Sequence, residues 1–323
     1  MFSTEGYQAL RHGAGIVLRG DRGVLAVTGA DRMTWLQGLL TNDVLAVPMG
    51  GVQYSVYLTP QGRMITDLRV VNLPDRALLD VPGSLAESLQ DRLDRLLFSE
   101  DAQVTNVSQQ TTIVDIHGPL APAVITQIES DVARYGAVVA DSAFGIPGYS
   151  LFVSMADAEV VADRLVAHGG QRTTLETLDI LRVEAGRPAF LIDMDEHTIP
   201  LEAGIEDRAI SYTKGCYVGQ EVIVRVMHRG HGRVAKRLVG LRLSKGVLPE
   251  PGSVIVGNGR EIGQITSAVW SPLLESGIAL GYVHRDFAAV GTTVLVRLPQ
   301  DETLQAEVSD LPFVQSAVST RNS

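Results

Sequence analysis

The sequence predicts an α+β chain: two sheet-and-helix portions followed by a small β-barrel. Three observations carry this expectation. Near the N-terminus the elements read strand, helix, hairpin, strand, helix. A looser version of that order returns after residue 110. Beyond Ala235 there are only short strands punctuated by glycine, proline and asparagine, with no helical period. Two sheets each need helices over one face, so two α+β portions packed together explain the first two observations.

Taken in order, Leu25–Gly29 reads as an apolar strand. Asp31 is placed to cap a helix carrying Trp35, Leu36, Leu39 and Leu40 on one face. Gln53–Leu58 and Met64–Val71 alternate as strands joined through Thr59, Pro60, Gln61 and Gly62, which is hairpin chemistry. After a strand at Ala77–Val81, Ser84 is expected to cap a helix with Leu85, Leu89, Leu93 and Leu96 at helical spacing. The second portion reads as a strand at Thr112–His117, a helix opening near Pro119, strands at Ala137–Ala140 and Tyr149–Val153, and a helix at Ala158–Ala167. Thr174 caps a further helix through Leu175, Leu178, Leu181 and Val183 that ends at Gly186. In the last third, Val254–Val256 and Ile262–Thr266 flank Gly257, Asn258 and Gly259. Strands at Ala279–Val283, Thr293–Leu298 and Leu304–Val308 complete five or six. The expected divisions are 1–110, 111–235, 236–314 and a loose tail at 315–323.

Composition narrows the function. At 323 residues the chain exceeds one ordinary hydrophobic core. A net charge of -10 repels polyanions unless basic residues are segregated. One cysteine excludes an intrachain disulfide framework and a Cys-built zinc site, and no tightly bound metal is expected. The N-terminal stretch lacks a basic region followed by an apolar run, and no stretch of eighteen apolar residues occurs, so a cytoplasmic protein without membrane contact is expected. No Walker loop or GxSxG elbow is present, and Gly257, Gly259 and Gly263 precede a strand where a nucleotide-binding glycine run requires a helix. His228 and His231 lack a carboxylate partner for metal binding. Asp193, Asp195 and Glu196 read as a solvated acidic loop in preference to a cation site.

Two stretches concentrate chemistry. In KGCYVGQEVIVRVMHRGHGRVAKR, Cys216 lies two residues from Lys214, and a nearby cation favours thiolate; a buried inert thiol is the competing reading. Arg225, Arg229, Arg233, Lys236 and Arg237 could attract a polyanion such as tRNA, or form a solvated face. In LRVEAGRPAFLIDMDEHTIPLEAG, Glu184 ends a helix. A carboxylate there can accept two parallel N–H bonds from the amino-pyrimidinone edge of a pterin, or pair with Arg187.

KGCYVGQE followed by Arg225 resembles the signature of the folate-binding YgfZ proteins, bacterial relatives of the mitochondrial iron–sulfur assembly factor and more distant relatives of the glycine cleavage T-protein, an aminomethyltransferase. LQGLLTNDV, QGRMITD, LRVEAGRP, IPLEAG and GQITSA extend the resemblance along nearly the whole chain. It implies two ferredoxin-like portions and a C-terminal barrel around a central hole that binds tetrahydrofolate or a derivative. It further implies Glu184 as the pterin grip, Lys214 facing the glutamyl tail, Tyr54, Tyr57 and Asp67 on the opposite wall, Gln220, Glu221 and Arg225 as further folate-binding residues, and Cys216 as the candidate reactive thiol. T-protein has a catalytic aspartate early in its chain, and the corresponding stretch Val81–Leu89 offers no clear equivalent. The implied role is accordingly an accessory one in assembly or repair of [4Fe–4S] proteins, including tRNA-modifying enzymes, with iron–sulfur apo-proteins or assembly proteins as partners. Aminomethyl transfer from a lipoyl carrier and a tRNA-binding module are the alternatives.

Overall fold

The computed structural model describes residues 3–132, 134–228, 232–244 and 246–315. Its elements in chain order are α1 (Thr4–His12), β1 (Gly15–Leu18), β2 (Arg22–Thr28), α2 (Arg32–Leu39), β3 (Val52–Leu58), β4 (Met64–Asn72), β5 (Ala77–Pro82), α3 (Ala86–Asp94), β6 (Gln103–Asn106), β7 (Thr111–His117), α4 (Ala121–Val132), β8 (Gly136–Ala140), β9 (Gly148–Ser154), α5 (Ala158–Ala167), β10 (Gln171–Arg172), α6 (Leu175–Glu184), α7 (Pro200–Ala203), α8 (Glu206–Ala209), α9 (Gln220–His228), β11 (Lys236–Leu243), β12 (Val254–Gly257), β13 (Arg260–Ser271), β14 (Ser276–His284), β15 (Thr293–Arg297) and β16 (Thr303–Ser309). The architecture is α+β, with two five-stranded sheets and a closed six-stranded barrel, as the sequence predicts. The chain divides into two compact units. The first comprises 1–58, 66–178 and 208–218; the second comprises 59–65, 179–207 and 219–323.

The first unit holds both open sheets, with strand orders β3-β4-β5-β2-β6 and β10-β1-β7-β9-β8. The expected β3/β4 hairpin forms, and Gly62 adopts φ +73°, as a tight turn demands. Val24, Ala26, Val71 and Leu78 of one sheet pack on Ile113, Val139 and Phe152 of the other, so the two sheets share a core. A buried ionic network also crosses between them. Arg69 on β4 bonds Asp80 on β5 at 2.6 Å, Ser150 on β9 at 2.9 Å, and Asp141. Ser150 bonds Asp115 on β7 at 2.6 Å, and Arg19 bonds Asp115 at 2.7 Å. Two helix-cap expectations are corrected. Ser84 lies exposed in a single 3₁₀ turn, and α3 starts at Ala86 after Leu85, because the chain leaving β5 tightens through Gly83 first. Asp31 precedes α2 but makes no cap bond; its carboxylate instead accepts the Asp101 N–H at 2.9 Å.

The second unit is built on the barrel β11-β14-β13-β12-β15-β16, closed by β11 pairing with β16. Inward residues Leu241, Ile255, Ile265, Val283, Val296 and Leu304 are all buried and fill it. The β12/β13 turn is Asn258–Gly259 with φ of 51° and 76°, the double positive φ that a two-residue hairpin needs. Beside the barrel, Val183 at the end of α6 packs with Leu238, Ile278, Leu280, Tyr282 and Phe313. Gly186, at φ +61°, ends that helical stretch, and a Cβ there would meet Leu311 at 2.8 Å. No described helix is long and apolar enough to cross a membrane.

Candidate functional site

In the first unit, β3 and β4 bring Tyr54 and Asp67 together. The Tyr54 hydroxyl donates to Asp67 Oδ2 at 3.0 Å, and the Arg208 guanidinium stacks over the Tyr54 ring at 4.2 Å from its centroid. Asp67 is 7% exposed; its Oδ1 is buried without a hydrogen-bond partner, and so is Arg208 Nη2. Burial raises the Asp67 carboxyl above the ordinary aspartate range against the opposing pull of Arg22, and burial with the Asp67 charge pushes Tyr54 up. Sequence reasoning passed over Arg208. Tyr57 is buried and pairs through its backbone with Leu40. Three positions along a pleated strand reverse the face, so Tyr54 and Tyr57 do not form the single wall expected of them.

The segment 211–218 is anchored to the end of α2. Lys214 Nζ donates to the carbonyl oxygens of Gln37 (2.6 Å), Leu40 (2.6 Å) and Asn42 (2.8 Å), while Ser211 N donates to Thr41 O and Val218 N to Gly38 O. An ammonium on orphan carbonyls at a helix C-terminus satisfies acceptors and complements the dipole. Its three protons are thereby committed, so the expectation that Lys214 faces a glutamyl tail finds no free donor here. Burial pushes this ammonium down to about 8, with Asp43 acting against it. Cys216 is exposed, which corrects the buried-thiol alternative, and the neighbouring cation expected to activate it is spent on backbone instead.

In the second unit, Glu184 is the last residue of α6 and fully buried, and its carboxylate accepts from the Ser271 hydroxyl of β13. Thr174 starts the helix as expected, accepting the Thr177 N–H at 3.3 Å. Two residues before Glu184, Arg182 donates to Asp193 Oδ2 at 2.5 Å and to Ser267 Oγ at 2.8 Å; Asp193 also accepts from Thr266 and Ser267. Asp193 is therefore 3% exposed and not part of a solvated acidic loop, because barrel hydroxyls and a guanidinium replace its hydration. Asp195 and Glu196 are exposed. Gln220, Glu221 and Arg225 lie on α9, a helix not read from the sequence although Val222/Val226 and Ile223/Met227 recur at four-residue spacing. Glu221 and Arg225 are exposed and, with Val222, Val224 and His228, line a shallow cleft. Of the basic residues, Arg233 and Arg237 are exposed and Lys236 is half-buried. Arg229 lies outside the described residues, as do His231 and residues 316–323 of the expected tail. Among the described residues no group of three His, Cys, Asp or Glu is arranged for a metal ion.

Residues 2–214 match the GCVT N-terminal domain, and residues 236–315 match the glycine cleavage T-protein C-terminal barrel domain. The chain belongs to the glycine cleavage T-protein family. Similar relatives named aminomethyltransferase include those of Geobacillus sp. (strain WCH70), 27% identical over 97% of this chain and 90% of that protein, and Thermotoga petrophila, 28% identical over the same shares. The Bacillus subtilis aminomethyltransferase is 26% identical over 95% of this chain and 89% of its own length. The solved glycine cleavage system aminomethyltransferase T from Bartonella henselae superposes with a TM-score of 0.85 at 22% identity, covering 97% of this chain and 89% of that one, which shows that the T-protein fold is shared.

Proposed function

We propose that this T-protein family member binds tetrahydrofolate or a derivative and acts on a one-carbon group carried with it. The carrying observation is the match to both T-protein domains along nearly the full chain. One residue set of the first unit supports it: the buried, partnerless Asp67 Oδ1 and Arg208 Nη2. A buried acceptor and a buried donor without partners fit a polar ligand better than an empty core. Bound folate would supply a nucleophilic nitrogen that accepts the one-carbon unit. Glu184 would accept N–H bonds from a pterin edge. Asp67, whose pKa burial raises, would hold or pass a proton at Oδ1 while Tyr54 fixes Oδ2.

Of the two uses for a bound folate, aminomethyl transfer is the one the relatives' names favour, and Asp67 offers it a buried carboxyl, whereas Glu87, the one carboxyl of Val81–Leu89, is exposed. The second, an accessory role in assembling or repairing iron–sulfur proteins, is favoured by the KGCYVGQE segment and its exposed Cys216. One thiolate cannot hold a cluster alone, so this role needs a partner protein or an external thiol. Binding of tRNA through Arg225, Arg233, Lys236 and Arg237 is a further, weaker proposal.

Calorimetry with a reduced folate tests the shared claim. Glu184→Gln should weaken binding by about 1.5–3 kcal/mol, and no binding by the unaltered protein would refute it. Ammonia release from an aminomethyl-loaded lipoyl carrier that depends on Asp67 and not Cys216 selects transfer. Restoration of iron–sulfur enzyme activity in a deletion strain that depends on Cys216 selects the accessory role.

A further inference from the structure

A second cleft, of about 420 Å³, lies wholly within the second unit and is lined by Arg63, His197, Glu202, Lys236, Ile262 and His284, with Ala235 at its edge. Its charges are only partly matched. Arg63 donates one N–H to the His197 carbonyl and has no carboxylate within ion-pair distance among the described residues. Lys236 stands over the Tyr282 ring at 4.7 Å, and among the described residues the carboxylate it pairs with, Glu202, is 4.0 Å away. Burial raises the Glu202 carboxyl, against the pull of Lys236 and Arg63, so this single carboxylate is shared between the two cations. Asp286 is 3.4 Å from His284 Nδ1, and Asp195, next but one to His197 in the chain, is close enough to feel the charges of both His197 and Lys236.

Four remaining guanidinium N–H groups, three ammonium protons and two imidazoles exceed what the two oxygens of a carboxylate can accept. They match the three terminal oxygens of a phosphate, which Arg engages as a fork and Lys as a point charge. The cleft also has an apolar lining residue in Ile262 and more room than a phosphate alone requires. We propose that this cleft binds a small phosphate monoester, with Arg63 and Lys236 on the phosphate, the imidazoles of His197 and His284 at its rim, and the organic body against Ile262. The site is independent of the folate reading: none of its lining residues belongs to the Glu184 or Asp67 clusters.

The test is calorimetric titration of the full chain with glycerol phosphate, adenosine monophosphate, inorganic phosphate and succinate at one ionic strength. At least one monoester should bind more tightly than inorganic phosphate and about tenfold more tightly than succinate. Which monoester wins tells a sugar phosphate from a nucleotide. Arg63→Met and Lys236→Met, which keep the apolar stems, should each weaken that binding about tenfold. Arg297→Met, an exposed cation outside the cleft, should change nothing. Near-UV circular dichroism establishes that the variants are folded, and if Arg63→Met alters the spectrum, Lys236→Met decides alone. No monoester binding at millimolar concentration, equal binding of succinate, or unchanged affinity in folded Lys236→Met would each overturn the proposal.

Discussion

Replacing Lys214 with methionine separates a structural role from a ligand-binding one. The ammonium bonds three carbonyls at 2.6, 2.6 and 2.8 Å around the end of α2, and Met keeps most of the stem without the donors. Hydrogen bonds to a charged group contribute about 1.5–3 kcal/mol each when buried. Lys214 is only half-buried and water can reach some of the released carbonyls, so the sum is discounted to roughly 2–4 kcal/mol. In a unit of this size each kcal/mol moves Tm by about 2–4 °C, giving a fall of roughly 5–15 °C. Differential scanning calorimetry should show that fall. The segment carrying Cys216 should also loosen, read as faster alkylation of its thiol by iodoacetamide. Unchanged Tm together with a large loss of folate affinity would refute the capping assignment and restore Lys214 to the ligand.

Three other outcomes follow from the same geometry. Arg182→Met leaves the buried Asp193 carboxyl without its guanidinium partner, which should cost about 3–5 kcal/mol in urea unfolding; the double replacement Arg182→Met with Asp193→Leu should recover much of it, since the unmatched buried group is then gone. Despite burial, the cations Arg22, Arg69 and Arg19 hold Asp80 below the ordinary carboxylate range, and nearby His117, Arg19 and Arg69 do the same for Asp115. Folded-state pKa values below the unfolded 3.8 mean stability that is present above about pH 4 and lost as pH falls through the folded values. Asp115→Asn should be less stable at pH 7 and show a flatter acid limb in circular dichroism. Gly186→Ala forces a Cβ into φ +61° and within 2.8 Å of Leu311, and should lower stability by about 1–3 kcal/mol in chemical denaturation.

Where the signal was local, the chain was readable. Asn258–Gly259 permits the paired positive φ of its hairpin whatever surrounds it, Thr174 bonds a residue three positions on, and Ala158–Ala167 repeats its apolar side chains at helical spacing. The candidate site was legible as a set of residues, because Glu184, Tyr54, Asp67 and Cys216 stand in recognisable motifs, but their surroundings were not. α9 escaped because it buries only Ile223 and its cations obscured the period. Arg208 escaped because its partner Tyr54 is more than a hundred and fifty residues away in the chain.

By itself, then, the order of residues determined most of the element types, the α+β and barrel classes and the relationship to the T-protein family, since turn chemistry, side-chain periodicity and short motifs act over a few positions. Only the tertiary structure decided that β1, from the N-terminal stretch, pairs with β7 of the second sheet, that Asp193 is an interior anion, and that Lys214 closes a helix instead of meeting solvent. Each of those depends on groups brought together from distant parts of the chain. A carboxylate's hydration, an ammonium's partner and a strand's neighbour are fixed by what folding places beside them, and no short window of sequence contains that information.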